Sequence, residues 1–129
     1  MSVLTFPYNA HYQPPMPVVD VEVGAPGRAP LQRLVSALVD SGSDGTLVPV
    51  DLLEEAGARC VGEARLRGMT GSSQLVNVYL VSLRMGTCLV HGLRVVAAPE
   101  QAELILGRNA LNHLVVTLNG PASMTEISA

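Results

Sequence analysis

One carboxylate stands out by its surroundings. In Ala37-Leu38-Val39-Asp40-Ser41-Gly42-Ser43-Asp44-Gly45-Thr46-Leu47-Val48 an apolar strand delivers Asp40. The serines and glycines that follow turn the chain sharply enough to leave its side chain at the end of that strand. A carboxylate presented in this way suits general acid-base work. The same residues also fit a plain β-turn in which Asp40 caps its own backbone amides. Counting Asp40 as position one, Asp44, Gly45 and Asp51 fall where a calcium loop has its fifth, sixth and twelfth residues. Gly42, at the third position, has no side-chain ligand oxygen, and a preceding strand and Pro49 replace the helices such a loop requires. His11, His91, His113, Cys60 and Cys88 stand at no metal-ligand spacing from one another. No metal or cofactor is expected.

The elements that must position Asp40 read as short strands. Residues 1–17, rich in proline (Pro7, Pro14, Pro15, Pro17), cannot run as a helix or a central strand and read as an extended arm. Val18 to Val23 alternates apolar and acidic residues, the period of a half-buried strand. Gly24 to Pro30 is a turn, Leu31 to Val39 a strand, Thr46 to Val48 a short apolar run, and Asp51 to Ala56 one short helix between Pro49 and Gly57. Ala64 to Arg67 and Gln74 to Met85 flank Gly68-Met69-Thr70-Gly71-Ser72-Ser73, a long hairpin with a glycine-rich tip. Cys88 to Val90, a turn at His91-Gly92 and Leu93 to Ala98 read as a further hairpin. Leu104 to Leu106 is a strand, Arg108 to His113 a short helix, Leu114 to Leu118 a last strand, and residues 120–129 a tail. Many short strands with little helix predict an all-β barrel or sandwich in one domain, residues 18–119.

Composition narrows the classes. The chain has 129 residues, 48% of them hydrophobic, which excludes disorder and leaves room for one core. Apolar content this high in so small a body points to some burial between subunits. Eight basic against eleven acidic residues give a formal net charge of -3, which argues against nucleic acid as a partner. Apolar runs such as Leu114 to Leu118 are too short to span a membrane, and Met1 to Pro7 has no basic export signal, so a cytoplasmic protein without a membrane partner is expected. Cys60 and Cys88 are expected as reduced, buried thiols.

A second motif follows the first: Leu104-Ile105-Leu106-Gly107-Arg108-Asn109-Ala110-Leu111, continuing to Thr117-Leu118-Asn119. Together the two resemble the retropepsins, the dimeric aspartic proteases of retroviruses and their cellular and bacterial relatives. The matches are Leu38-Val39, then Asp40-Ser41-Gly42-Ser43, the hairpin around Met69 to Gly71, and Ile105-Leu106-Gly107-Arg108-Asn109. Asp44 and Thr46 also match residues common in the retroviral branch. The likeness covers Val18 to Asn119. The departures are the proline-rich arm, the lack of aromatic residues at the hairpin tip, and the tail. In viral relatives the termini build the dimer's sheet, so these additions bear on the interface.

The resemblance implies a partly open or closed β-barrel with a flap hairpin and one or two short helices, active as a symmetric homodimer on polypeptide substrates. One chain supplies one such catalytic aspartate, and peptide hydrolysis by this route needs two sharing a proton, so Asp40 would meet its mate on the two-fold axis. Ser41 would hydrogen-bond across the dimer, and Gly42 would let substrate backbone approach. Asp44 would accept hydrogen bonds from that backbone and pair with Arg108, behind it, with Gly107 and Asn109 supporting the site. Met69, Thr70 and Gly71 would close over substrate. Ala98 to Ala102, centred on Pro99, is either a subsite wall or a plain surface loop. Leu38, Met69 and Ala98 as pocket walls imply a preference for apolar side chains. Two other readings stand beside the protease: a peptide-binding or dimerisation module on the same scaffold, and an unrelated β-barrel carrying both motifs by accident.

Overall fold

The computed structural model describes residues 3–29 and 33–129. Its strands are β1 (Leu4–Pro7), β2 (Val18–Gly24), β3 (Val35–Val39), β4 (Thr46–Pro49), β5 (Arg59–Arg67), β6 (Ser73–Met85), β7 (Cys88–Ala98), β8 (Leu104–Leu106), β9 (Val115–Asn119) and β10 (Met124–Ser128). Two short helices join them, α1 (Val50–Ala56) and α2 (Arg108–Leu111). Alternation sets the inside of β2. Val19, Val21 and Val23 are buried, while Asp20 and Glu22 between them stay partly open and Glu22 pairs across the ladder with Arg84. Helix α1 lies one residue from its expected start and ends at Gly57, whose left-handed backbone lets its N–H and that of Ala58 reach the carbonyls of Glu54 and Leu53.

Seven strands run in the order β2-β3-β8-β4-β7-β6-β5, and β2 also pairs with β6. Six of them thus close on themselves as a barrel, which removes their edges and encloses the core. Val21, Val23, Leu83, Met85, Val95, Leu104 and Leu106 fill it, with Leu53 of α1 and Ile127 of β10 packed into the same cluster. Of the all-β barrel or sandwich expected from the strand pattern, the barrel is the fold, as the resemblance implied. Only β5 remains outside, held by the upper part of β6, so the two project as a long hairpin.

Three expectations are corrected. The turn placed at His91-Gly92 is a bulge inside β7: between the pairs Val81 with Leu93 and Leu83 with Val90, β7 carries one residue more than β6, and Gly92 takes a φ of 62°. The true reversal lies between Met85 and Cys88, around Gly86. The strand expected from Leu31 begins at Val35; Leu31, Gln32 and Pro30 lie outside the described residues. Cys88 is buried, but Cys60, on the edge strand, is exposed.

The two ends of the chain meet. Leu4–Pro7 pairs with Met124–Ser128, which pairs in turn with β9, making a separate three-stranded sheet in the order β1-β10-β9. The proline-rich segment between β1 and β2 is tied down as well. The Tyr8 amide donates to the Ser123 carbonyl, and the Tyr12 hydroxyl donates to Glu103 Oε1 at 2.6 Å. That hydrogen bond, with lesser contributions from desolvation and the carboxylate's charge, raises the Tyr12 phenol above its ordinary value of 10.0.

Candidate active site

Asp40 is the first residue beyond β3. Strands β3 and β8 run parallel with Leu38 beside Ile105 and Val39 beside Leu106, and the Asp40 amide adds one more bond, to the Leu106 carbonyl at 3.0 Å. The chain then turns: Ser43 N–H donates to the Asp40 carbonyl at 3.2 Å, and Gly42 N–H donates to Asp40 Oδ1 at 3.0 Å. The simple capping contact is therefore real, and it fixes one carboxylate oxygen. Oδ2 has no hydrogen bond among the described residues, and Asp40 is exposed. Capping and presentation coexist. A Cβ at Gly42 would stand 3.1 Å from Asp40 Oδ1, so glycine there keeps the carboxylate in place.

The second motif holds this loop from behind. Arg108 N–H donates to the Ser43 carbonyl at 2.8 Å and Asn109 N–H to the Asp44 carbonyl at 3.3 Å. The Arg108 guanidinium donates through Nη1 to the Ser41 carbonyl at 2.8 Å and through Nη2 to Asp44 Oδ1. This is the Asp44–Arg108 pair expected from the sequence. Gly107 is glycine for steric reasons: a Cβ would come 2.0 Å from the Gly45 carbonyl oxygen and 2.9 Å from that of Ser43, both backbone atoms. The two loops touch where a side chain would have to fit.

At the centre sits Thr46, fully buried. Its hydroxyl accepts from Gly107 N–H at 3.1 Å and donates to Asn109 Oδ1 at 2.7 Å, while Asn109 Nδ2 donates to the Arg94 carbonyl at 2.8 Å. One hydroxyl thus joins both motifs, using its donor and an acceptor position. Thr46 received no such role from the sequence. The available signal was a hydroxyl inside the apolar run Thr46-Leu47-Val48, since a buried hydroxyl must find partners.

Beside the loop lies a cleft of about 520 Å³ lined by Gly42, Ser43, Asp44, Gly45, Val96 and, from the projecting hairpin, Arg65, Leu66 and Arg67. A second cavity of about 420 Å³ shares Leu66 and Val96 with it and adds Leu47, Val50, Val76, Ala98 and Pro99 among its walls. Asp44 thus lines the cleft and Ala98 and Pro99 the adjoining cavity, whereas Leu38 lines neither. Met69, Thr70 and Gly71 stand exposed at the hairpin tip, where Gly71 has a φ of 84° and donates to the Gly68 carbonyl at 3.0 Å. Leu47, Leu66, Val76 and Val96 line the second cavity together with Ala98.

Residues 19–110, which run from Asp40-Ser41-Gly42 through Gly107-Arg108-Asn109, match the family model described as aspartyl protease. The chain belongs to the aspartyl protease family. Within that family its fold is retropepsin-like. It is similar to a retropepsin-like aspartic protease from Rickettsia conorii at 8% identity and a TM-score of 0.71, over 98% of this chain and 89% of that one. The protease of equine virus EIAV, in complex with the inhibitor HBY-793, aligns at 17% identity and TM-score 0.59 over 75% of this chain and 86% of its own. Simian foamy virus (mac) protease aligns at 20% and 0.53, over 74% and 91%. No curated protein matches the family member by sequence. Among its described residues, no helix is long and apolar enough to cross a membrane.

Proposed function

We propose that this family member is an aspartic endopeptidase that acts as a symmetric homodimer, with the Asp40 carboxylates of two copies facing each other across the two-fold axis. The observation that carries the reading is the exposed Asp40 carboxylate, anchored through Oδ1 and unpartnered at Oδ2, on a loop held by Gly107-Arg108-Asn109 beside a cleft. Two such carboxylates at close range cannot both be charged, so they share one proton, as aspartic proteases do. The ionised one takes a proton from water, whose oxygen bonds to the scissile carbonyl carbon while the protonated one gives its proton to the carbonyl oxygen. Collapse of that adduct breaks the C–N bond, and the departing nitrogen takes up a proton.

The exposed Ser41 would bond its counterpart in the second copy, Gly42 and Asp44 would meet substrate backbone, and Met69, Thr70 and Gly71 would fold down on it. The protein is read as cytoplasmic. Incubating wild type and Asp40→Asn with a diverse peptide library from about pH 4 to pH 7, with products read by mass spectrometry, tests the reading. Cleavage by wild type alone is expected. Cleavage by both would exclude Asp40 as the catalytic group, and binding without cleavage would favour a peptide-holding module.

A further inference from the structure

The walls of the cleft differ in charge. Asp44 is neutralised by Arg108. The lining of the same cleft includes Arg65 and Arg67 of the hairpin, which flank Leu66 and lie on the other face of β5 from it, and between Ala64 and Val78 no other residue is charged. Their cross-strand neighbours are Leu75 and Ser73. Glu63, two residues before Arg65 on the same face of β5, forms no ion pair with either arginine, and among the described residues neither has a carboxylate within ion-pair distance. β5 is the edge strand of its sheet, and Arg65 and Arg67 are both exposed. The adjoining cavity has no charged lining residue: beside Gln74 and Asn77 its walls are apolar, Leu47, Val50, Leu66 and Val76 among them.

We propose that Arg65 and Arg67 are specificity-determining residues that select peptide segments carrying an acidic side chain close to an apolar one. The apolar side chain enters the second cavity, and the carboxylate meets the planar guanidinium forks at the cleft, which suit it better than a lysine would. This rests on the protease reading for its chemistry but not for its charge. In a symmetric dimer each half of the cleft carries the same pair, so the acidic preference falls on both sides of the scissile bond.

The test uses three matched peptides that differ only in Glu, Gln or Lys near one apolar residue, presented to wild type, to Arg65→Gln/Arg67→Gln and to Asp40→Asn. Wild type should cut the Glu peptide about three- to tenfold faster in kcat/KM than the Gln peptide, the gain of one or two partly exposed ion pairs. The double variant, checked for native circular dichroism, should lose that ratio, and added salt should shrink it in wild type. Cleavage of all three at equal rates would overturn the proposal and leave the protease intact. If wild type cuts none, labelled peptides binding to wild type and Asp40→Asn decide: tighter binding of Glu supports the proposal while the protease reading fails, and equal or no binding overturns it.

Discussion

Arg108 spans the active-site loop, one arm of its guanidinium on the Ser41 carbonyl and the other on Asp44, whose side chain is 93% exposed. A pair that open contributes about 0–1 kcal/mol to stability, so its value lies in where it holds the loop. Arg108→Lys should therefore leave the melting temperature nearly unchanged while lowering kcat/KM at least tenfold, because one ammonium cannot make both contacts at once. Thr46 has the opposite profile. Thr46→Val keeps the shape and strands a buried Gly107 N–H and an Asn109 oxygen, so denaturant unfolding should show a loss of about 1–3 kcal/mol. Gly107→Ala should cost about 3 kcal/mol or more by the same measure, since the new methyl meets backbone that cannot swing aside. Asp40, Gly107 and Arg108 were legible in the sequence through the two motifs taken together, since either alone reads as an ordinary loop. Thr46 was not, because one hydroxyl in an apolar run becomes a hub only when β8 is threaded between β3 and β4.

Among the elements, strands with alternation and short apolar runs such as those of β4 and β8 were the ones the sequence revealed. The hydrophobic period of Val18–Gly24 and the Pro49 and Gly57 that bracket α1 act locally, and local signals survive folding. The bulge in β7 was misread because His91-Gly92 carries the same residue types as a turn; only pairing against β6 distinguishes them. The terminal sheet was hidden for a different reason: β1 and β10 are more than a hundred residues apart, and neither alternates cleanly enough to stand alone. That sheet contains one defect, the hydroxyl of fully buried Thr125, which has no partner among the described residues. Thr125→Val removes it at constant volume and should raise stability by about 1 kcal/mol, seen as a higher melting temperature.

At the scale of the whole molecule, one Asp-Ser-Gly motif per chain means that the proposed mechanism requires two copies. Both outer edges of the terminal sheet, on β1 and β9, are unpaired among the described residues, and Val3, Val115 and Leu118 are exposed there, a surface that a second copy would cover. Specific activity should therefore fall on dilution in step with the dimer fraction measured by sedimentation.

The most direct test of two Asp40 residues acting together is to mix wild type with Asp40→Asn at constant total concentration, allow subunits to exchange, and follow cleavage of one peptide. If both carboxylates of a pair are required, activity follows the square of the wild-type fraction, and an equal mixture retains about a quarter of the rate. A linear decline, with about half the rate in the equal mixture, would mean that each chain works with its own aspartate alone and would contradict the account.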